Sequence, residues 1–432
     1  MTHLPLGGLS QAAIDELELT LAPVDAWAER RYPGGATTDQ PVHTVYVPAD
    51  RAEAGLCAAW GAEALETLDA NAPLPALLAE ATGLEIDEVA GAWDLLHAVL
   101  AERPIQDLRV DLEDGYGAHP DEVEDEDAAR AARVLLAEAA APGRPMRLGI
   151  RHRSLERSTR ARAVRTLERV ISGLASGGGV PDGFVLTLPK VIDERQVLAY
   201  VRLLGALESG YGLAPGSLRF EIQVETPQAI LAADGRLPLA PMLDAGEGRI
   251  TGLHFGTYDY TAAMGVGAAH QRAQHPVAQT AKAVMRLAAA GTGVEVSDGS
   301  TNRLPVGDLN EVYGGWRVHA DLVGGAIADG VRQGWDLHPA QLVTRHLVNI
   351  ATSRRKVPDA LARLAVYFAA TAGGGAQSAD DGATLDEPAT AQALAADLVR
   401  ALHLGATTVT EVESRTGVPV ATLHAFAARR VA

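Results

Sequence analysis

The sequence predicts an α/β protein built as a closed (β/α)8 TIM barrel, and three observations carry that reading. Short apolar, β-branched runs recur along most of the chain, stretches of helical periodicity separate them, and the runs number eight. Strands that alternate with helices imply parallel pairing, and eight such units are the number that closes a barrel. Hydrophobic residues make up 47% of the 432 and charged residues 21%, enough apolar material for one large core. Disordered and fibrous classes are thereby excluded.

Taken in order, residues 9–31 carry apolar positions at helical spacing, and residues 1–42 read as an N-terminal helical arm. The barrel is expected over 43–345. HTVYVPADR (43–51) reads as the first strand, and the Ala- and Leu-rich segment 52–103 as an insertion of two or three helices. The remaining strands are DLRVDLED (107–114), MRLGIR (146–151), FVLTLPK (184–190), RFEIQVET (219–226), ITGLHFGT (250–257), the weaker GVEVSD (293–298) and WDLHP (335–339). Residues 346–375 read as a helical extension. Residues 376–432 read as a linker and a small helical appendage, the linker lying in the Gly-, Ala-, Ser- and Asp-rich stretch 371–390.

Charge and cysteine content narrow the function classes. The formal net charge is −18, a surface that repels nucleic acid and anionic membranes. The single cysteine, Cys57, permits neither an internal disulfide nor a multi-cysteine metal cage. The N-terminus lacks the pattern of a signal peptide and no stretch is long enough to span a bilayer, so a cytoplasmic protein is expected. Only three lysines occur, Lys190, Lys282 and Lys356, which limits the choice of an amine nucleophile.

Polar groups gather where the strand-like runs end. Glu113 and Asp114 close the second run, Arg151 the third, Lys190 the fourth and Glu225 the fifth; Asp259 follows the sixth and His338 lies in the last. In a TIM barrel these C-terminal ends form the active-site mouth. Any one of them alone reads as a solvated strand end. Glu225 and Asp259, on neighbouring strands, suit a Mg2+ ion (or Mn2+) whose remaining positions take water and a bidentate substrate such as a 2-oxo acid. Arg151 suits an electrostatic clamp on a carboxylate or developing enolate oxygen. Arg147 and Arg153 share its face by period-two alternation and compete for that role. Glu113 and Asp114 suit orientation of metal-bound water or a proton relay, or else a buried network between the second and third strands. Lys190 suits either a Schiff base or an ion pair with Glu113 or Glu225. GEGRITG (246–252) has the wrong spacing for a dinucleotide fingerprint, and neither a Walker sequence nor a G-x-S-x-G elbow occurs.

The ordered segments VDLEDGYG (110–117), LGIRHRS (148–154), LTLPKVIDERQ (186–196), IQVETPQAI (222–230), LHFGTYDYTAAMGV (253–266) and GWDLHPAQ (334–341) resemble the HpcH/HpaI aldolase and citrate lyase β-subunit superfamily, and more distantly malate synthase. The resemblance spans about 43–345. It implies a TIM barrel with a Mg2+-dependent site that makes or breaks a C–C bond beside a carbonyl, through a metal-stabilised enolate of a 2-oxo acid or CoA thioester. By motif position it implies Glu225 and Asp259 as metal ligands, Arg151 as the substrate-binding arginine, and Glu113 and Asp114 as an acidic pair. It places His338 in the HP-x-Q segment, and Pro189 and Thr226 in the segments that face substrate. It also implies a homo-oligomer. The chain departs from the family in carrying Arg153 where Asn is usual, Trp335 where a lysine commonly precedes the HP segment, and the 52–103 insertion and C-terminal tail. Some relatives take a catalytic aspartate from a C-terminal lid of a neighbouring subunit; Asp380 and Asp381 lie in the Gly-, Ala-, Ser- and Asp-rich stretch of this chain and do not align to it. A rival reading is a non-catalytic ligand-binding barrel with a regulatory helix-turn-helix-like tail (407–430), against which stand the acidic balance and the few basic residues of its second helix.

Overall fold

The computed structural model describes residues 9–34, 39–372 and 386–428. Eight parallel strands are ordered β7-β6-β5-β4-β3-β2-β1-β8. They are β1 (His43–Pro48), β2 (Asp107–Asp111), β3 (Arg147–Arg151), β4 (Phe184–Leu188), β5 (Arg219–Val224), β6 (Ile250–Phe255), β7 (Glu295–Ser297) and β8 (Gly334–Asp336). A parallel bridge from Ser297 to Gln333 and a 2.8 Å hydrogen bond from the Asp298 amide to the Gln333 carbonyl join β7 to β8. The sheet is thus a nearly closed TIM barrel, as the eight runs predict; seven strands lie inside their expected segments, and β8 begins one residue ahead of its run, at Gly334.

Helices flank it in chain order: α1 (Gln11–Arg31), α2 (Leu56–Asn71), α3 (Pro75–Thr82), α4 (Ile86–Glu102), α5 (Asp121–Ala140), α6 (Arg160–Ser176), α7 (Glu194–Tyr211), α8 (Pro227–Ile230), α9 (Leu239–Ala245), α10 (Thr257–Ala263), α11 (Pro276–Ala289), α12 (Leu309–Ala328) and α13 (Pro339–Ala372). The tail adds α14 (Pro388–His403), α15 (Val409–Thr416) and α16 (Val420–Ala427). The insertion therefore folds as three helices. Of these, α2 and α4 pack on α13, and α3 packs on α12. Helix α1 buries none of its residues, and Arg31 ties its end to Asp244 at 2.8 Å. The tail forms its own small core with the later turns of α13, around Leu361, Leu364, Leu398, Val412 and Leu423. Asp380, Asp381 and most of the expected linker fall outside the described residues.

Alternation along the strands sorts side chains between two environments. Leu108, Val110, Leu148, Ile150, Leu186 and Ile222 belong to the main apolar core. The alternate residues meet inside the barrel and are largely polar, with several charged. Arg109, fully buried, pairs with Asp107 and with Glu221 at 2.8 Å, and donates to Thr187 at 3.2 Å. His254 lies 3.2 Å from Glu221, and Arg147 grips Glu295, one of its bonds measuring 2.8 Å. TIM-barrel interiors are more often filled by branched apolar side chains. Here complementary charge fills the space, because each buried ion has a partner. Gly149 is required within this layer, since a Cβ there would lie 1.7 Å from the Val185 carbonyl of the next strand.

Candidate functional site

The mouth at the C-terminal strand ends encloses a cavity of about 430 Å³, lined by Tyr46, Asp111, Asp114, Arg151, Glu225, Asp259 and Trp335 among others. Each charged group arrives from a different strand. Glu113 and Asp114 follow β2, Arg151 ends β3, Lys190 follows β4, Glu225 follows β5, and Asp259 sits in the first turn of α10 after β6.

Arg151 is fixed from several sides. Its Nε and one terminal nitrogen donate to the two oxygens of Asp111 at 2.7 and 2.6 Å, and the other donates to Gln223 Oε1 at 3.2 Å. The guanidinium also faces the rings of Tyr46 and Trp335, at 4.9 and 5.7 Å. Asp111 is saturated in turn, since it also accepts the amides of Glu113 and Gly115 at 3.0 and 2.9 Å. The bidentate partner and the stacked rings suit a guanidinium and not an ammonium. Burial alone would lower the Arg151 pKa, but Asp111 and Glu113 hold it well above its ordinary value.

The three arginines that share one strand face are separated by the structure. Arg147 pairs with Glu295 within the barrel, and Arg153 donates to Glu124 at 2.9 Å and to the Gly117 carbonyl. Of these three, Arg151 alone lines the mouth cavity.

Lys190 lies at the centre of the acidic groups. Its Nζ is 3.0 Å from Asp259, 3.1 Å from Asp114, 3.2 Å from Glu113 and 3.7 Å from Glu225. Its backbone adopts φ 54°, a left-handed conformation that costs a non-glycine residue energy, and its amide donates to Glu225 Oε1 at 2.9 Å. Burial works against the charged amine, yet Glu225, Glu113 and Asp114 hold its pKa well above the ordinary lysine value. Burial pushes Glu113 up to about 7 and Glu225 up to about 8, although Arg151 and Lys190 respectively oppose it. Asp259 is half-exposed; burial pushes it up, but hydrogen bonds to Glu225 and Lys190 bring it below the usual carboxylate range.

The residues present fit a hard divalent cation. Oxygens of Asp114, Glu225 and Asp259 lie within 4.8 Å of one another. An all-oxygen carboxylate set is the chemistry of Mg2+ and Mn2+. The ammonium of Lys190 already rests among these groups, which marks the point as one where positive charge is favoured.

The other expected residues stand apart from this centre. His338 turns toward Glu63 of α2, at 3.7 Å, and accepts the Ala340 amide at 3.2 Å. Thr226 donates to the Val191 carbonyl at 2.6 Å, which ties the end of β5 to the loop after β4, and Pro189 is buried beside Lys190. Asp111, Gln223 and Tyr46 escape the sequence reading, and Trp335 enters it only as a departure from the family pattern. A signal for two of them is present, because Asp107, Arg109 and Asp111 alternate on β2 and Glu221, Gln223 and Glu225 along β5, the mark of polar groups facing a barrel interior.

Residues 21–431 match the family described as a domain of unknown function, DUF6986. Among solved structures, a citrate lyase from Burkholderia xenovorans LB400 is similar at 20% identity and a TM-score of 0.52, covering 72% of this chain and 88% of that one. Malate synthase from Haloferax volcanii, in a magnesium/glyoxylate complex, is similar at 17% identity and a TM-score of 0.47, covering 90% and 98%. At such identity the citrate lyase likeness speaks for the fold. No curated protein matches the sequence.

Proposed function

The chain belongs to the DUF6986 family, and we propose that it is a Mg2+-dependent (or Mn2+-dependent) carbon–carbon lyase or aldolase acting on a 2-oxo acid or acyl-CoA-type substrate. The observation that carries the reading is the pairing of a preorganised arginine with a carboxylate cluster at one barrel mouth. Asp114, Glu225 and Asp259 would hold the cation, which supplies Lewis-acid polarisation of the substrate carbonyl when bound.

Arg151 binds the substrate carboxylate and offsets negative charge that develops on the adjacent oxygen as the bond breaks. Asp111 and Gln223 keep the guanidinium from rotating, so little reorganisation is needed during the reaction. Tyr46 and Trp335 exclude water from one face of that group, which strengthens its field. Glu113, which accepts the amide of Asp114, is the acid that returns a proton to the product carbon, directly or through water, and Asp114 beside it holds the cation.

A Schiff base through Lys190 is disfavoured by the four carboxylates around its Nζ, which keep the amine protonated. The alternative of a regulatory tail gains little from the structure. Gly417 does join α15 to α16 in a left-handed turn, but Leu423 of α16 is buried against the tail's own core. Catalysis in the cytoplasm by a homo-oligomer completes the reading; among the described residues no helix is long and apolar enough to cross a membrane.

Aldol adducts of pyruvate incubated with protein and Mg2+, with released pyruvate followed by coupled reduction, test the proposal. EDTA and Glu225→Gln should each abolish release. Release that survives both would contradict it.

A further inference from the structure

The end of the barrel away from the mouth holds a cluster of basic side chains that the proposed chemistry does not use. Arg332, just before β8, Lys356 on α13 and Arg400 on α14 border one cavity of about 220 Å³, together with Asn349 and Ser353 of α13. Among the described residues Asp397 of α14 is the one acid in its lining. Two positive charges are thus in excess there, on a chain whose formal net charge is −18.

The one acid does not satisfy the three cations. Asp397 meets Lys356 Nζ at 3.2 Å, but Arg332 stays 3.9 Å from it, beyond hydrogen-bond reach. Arg400 is 5% exposed; one of its terminal nitrogens donates to the Gln40 carbonyl, and the other has no partner. Burial and the neighbouring Arg332 charge lower the Arg400 pKa to about 9, and Glu295 and Asp39 act in the opposite sense without restoring it. A buried cation that lacks a counter-charge is costly, and so is a second cation beside it. An anion in the cavity offsets both costs.

We propose that this cavity binds a phosphate group, free or as a monoester, through Arg332, Lys356 and Arg400 at the seam between barrel and tail. The excess of two positive charges matches a phosphate dianion. Donors arriving from three separate elements surround tetrahedral oxygens better than they match the single plane of a carboxylate. Ser353 adds a hydroxyl. Room for an organic body is at hand, because a cleft of about 370 Å³ adjoins the cavity along α12 and shares Thr352 and Lys356 with it. Gly324 and Gly325 form part of the α12 wall of that cleft and carry no side chain to fill it. Since the anchors belong to both barrel and tail, bound phosphate stabilises the docked tail by mass action.

Isothermal calorimetry on the full chain in EDTA, at about 0.15 M salt, tests the site with inorganic phosphate, phenyl phosphate and benzoate. Both phosphates should bind saturably, and benzoate at least about 10-fold more weakly than phenyl phosphate. Arg332 and Lys356 are partly exposed, so Arg332→Gln and Lys356→Gln should fold, and each should weaken phosphate binding by roughly 5- to 10-fold. Asp397→Asn removes the competing acid and should tighten binding by about 3-fold or more, an effect that a purely structural role for the cluster does not produce. Tighter binding of phenyl phosphate marks a monoester, and tighter binding of inorganic phosphate marks the free ion; either supports the site. No saturable binding of either phosphate, or binding that all three variants leave unchanged, would overturn it. Benzoate binding as tightly as phenyl phosphate would overturn the assignment to phosphate.

Discussion

Arg151 shows how one side chain is made fit for a task by its neighbours. Asp111 takes two of its donors, Gln223 a third, and two aromatic rings cover it. Arg151→Lys keeps the charge but loses the fork, so kcat/KM for the cleavage reaction should fall by about 10²- to 10³-fold. Because Asp111 is buried and loses donors, the same variant should also unfold at about 1–3 kcal/mol lower stability in urea. Lys190 invites the opposite experiment. Its ammonium balances Glu113, Asp114, Glu225 and Asp259. Lys190→Met should melt lower than the unmodified protein in EDTA, and Mg2+ should raise its melting temperature by roughly 2–4 °C more than it raises that of the unmodified protein. An equal Mg2+ effect on the two would count against a shared place for ammonium and cation. The ends of the strand-like runs disclose most of these residues. What they do not disclose is which of Arg147, Arg151 and Arg153 faces the mouth, because period-two spacing is blind to depth along the barrel. The structure separates them by giving each a different acid: Glu295, Asp111 and Glu124.

At the scale of elements, the strands are legible because their runs are short, β-branched and spaced by helices. The weak seventh run is real but only three residues long, Glu295–Ser297, and it completes the ring through the Ser297–Gln333 bridge. The charged barrel interior was harder to foresee. Arg109 and Glu221 sit in the middle of their strand runs, and only the closed ring puts both inside. Buried histidines fix how the elements respond to acid. Burial lowers His152, after β3, to about 4, and lowers His346, on α13, to about 3. Below the ordinary value of about 6.5 the unfolded chain takes up protons that the folded chain refuses. Their contribution is therefore complete above about pH 6.5 and is lost as pH falls toward 4 and then 3. Urea midpoints should drop progressively over that window. His346→Phe should flatten the slope, at the cost of the 2.8 Å bond to the Pro104 carbonyl at neutral pH. An unchanged slope would mean that other groups govern acid unfolding.

For the whole molecule, the two ends of the barrel have separate duties. The polar cluster assigned to the proposed chemistry faces the mouth, while the tail attaches at the opposite end. Arg400 of α14 is buried and donates to the carbonyl of Gln40, just before β1, and burial lowers its pKa to about 9. Removing residues 387–432 would bare Val357, Leu361 and Leu364, which pack against the tail. Such a chain should melt several degrees lower and yet keep its KM, measured at a temperature where it remains folded. A changed KM with unchanged stability would assign the tail to the site. Composition and helical periodicity reveal that the tail exists, but not where it docks, since docking depends on contacts with α13, across the stretch that separates the two.

The central claim is that this mouth activates the carbon beside a carbonyl through its carboxylates and Arg151. Proton NMR in D2O tests it most directly, with Mg2+ and a mixture of pyruvate, 2-oxobutyrate and acetyl-CoA, each with and without EDTA. The account predicts deuterium entering the carbon next to the activated carbonyl of at least one donor, abolished by EDTA, by Glu225→Gln and by Asp259→Asn. Exchange that persists in EDTA and disappears in Lys190→Ala would contradict it in favour of amine chemistry, and no exchange with any donor would contradict it outright.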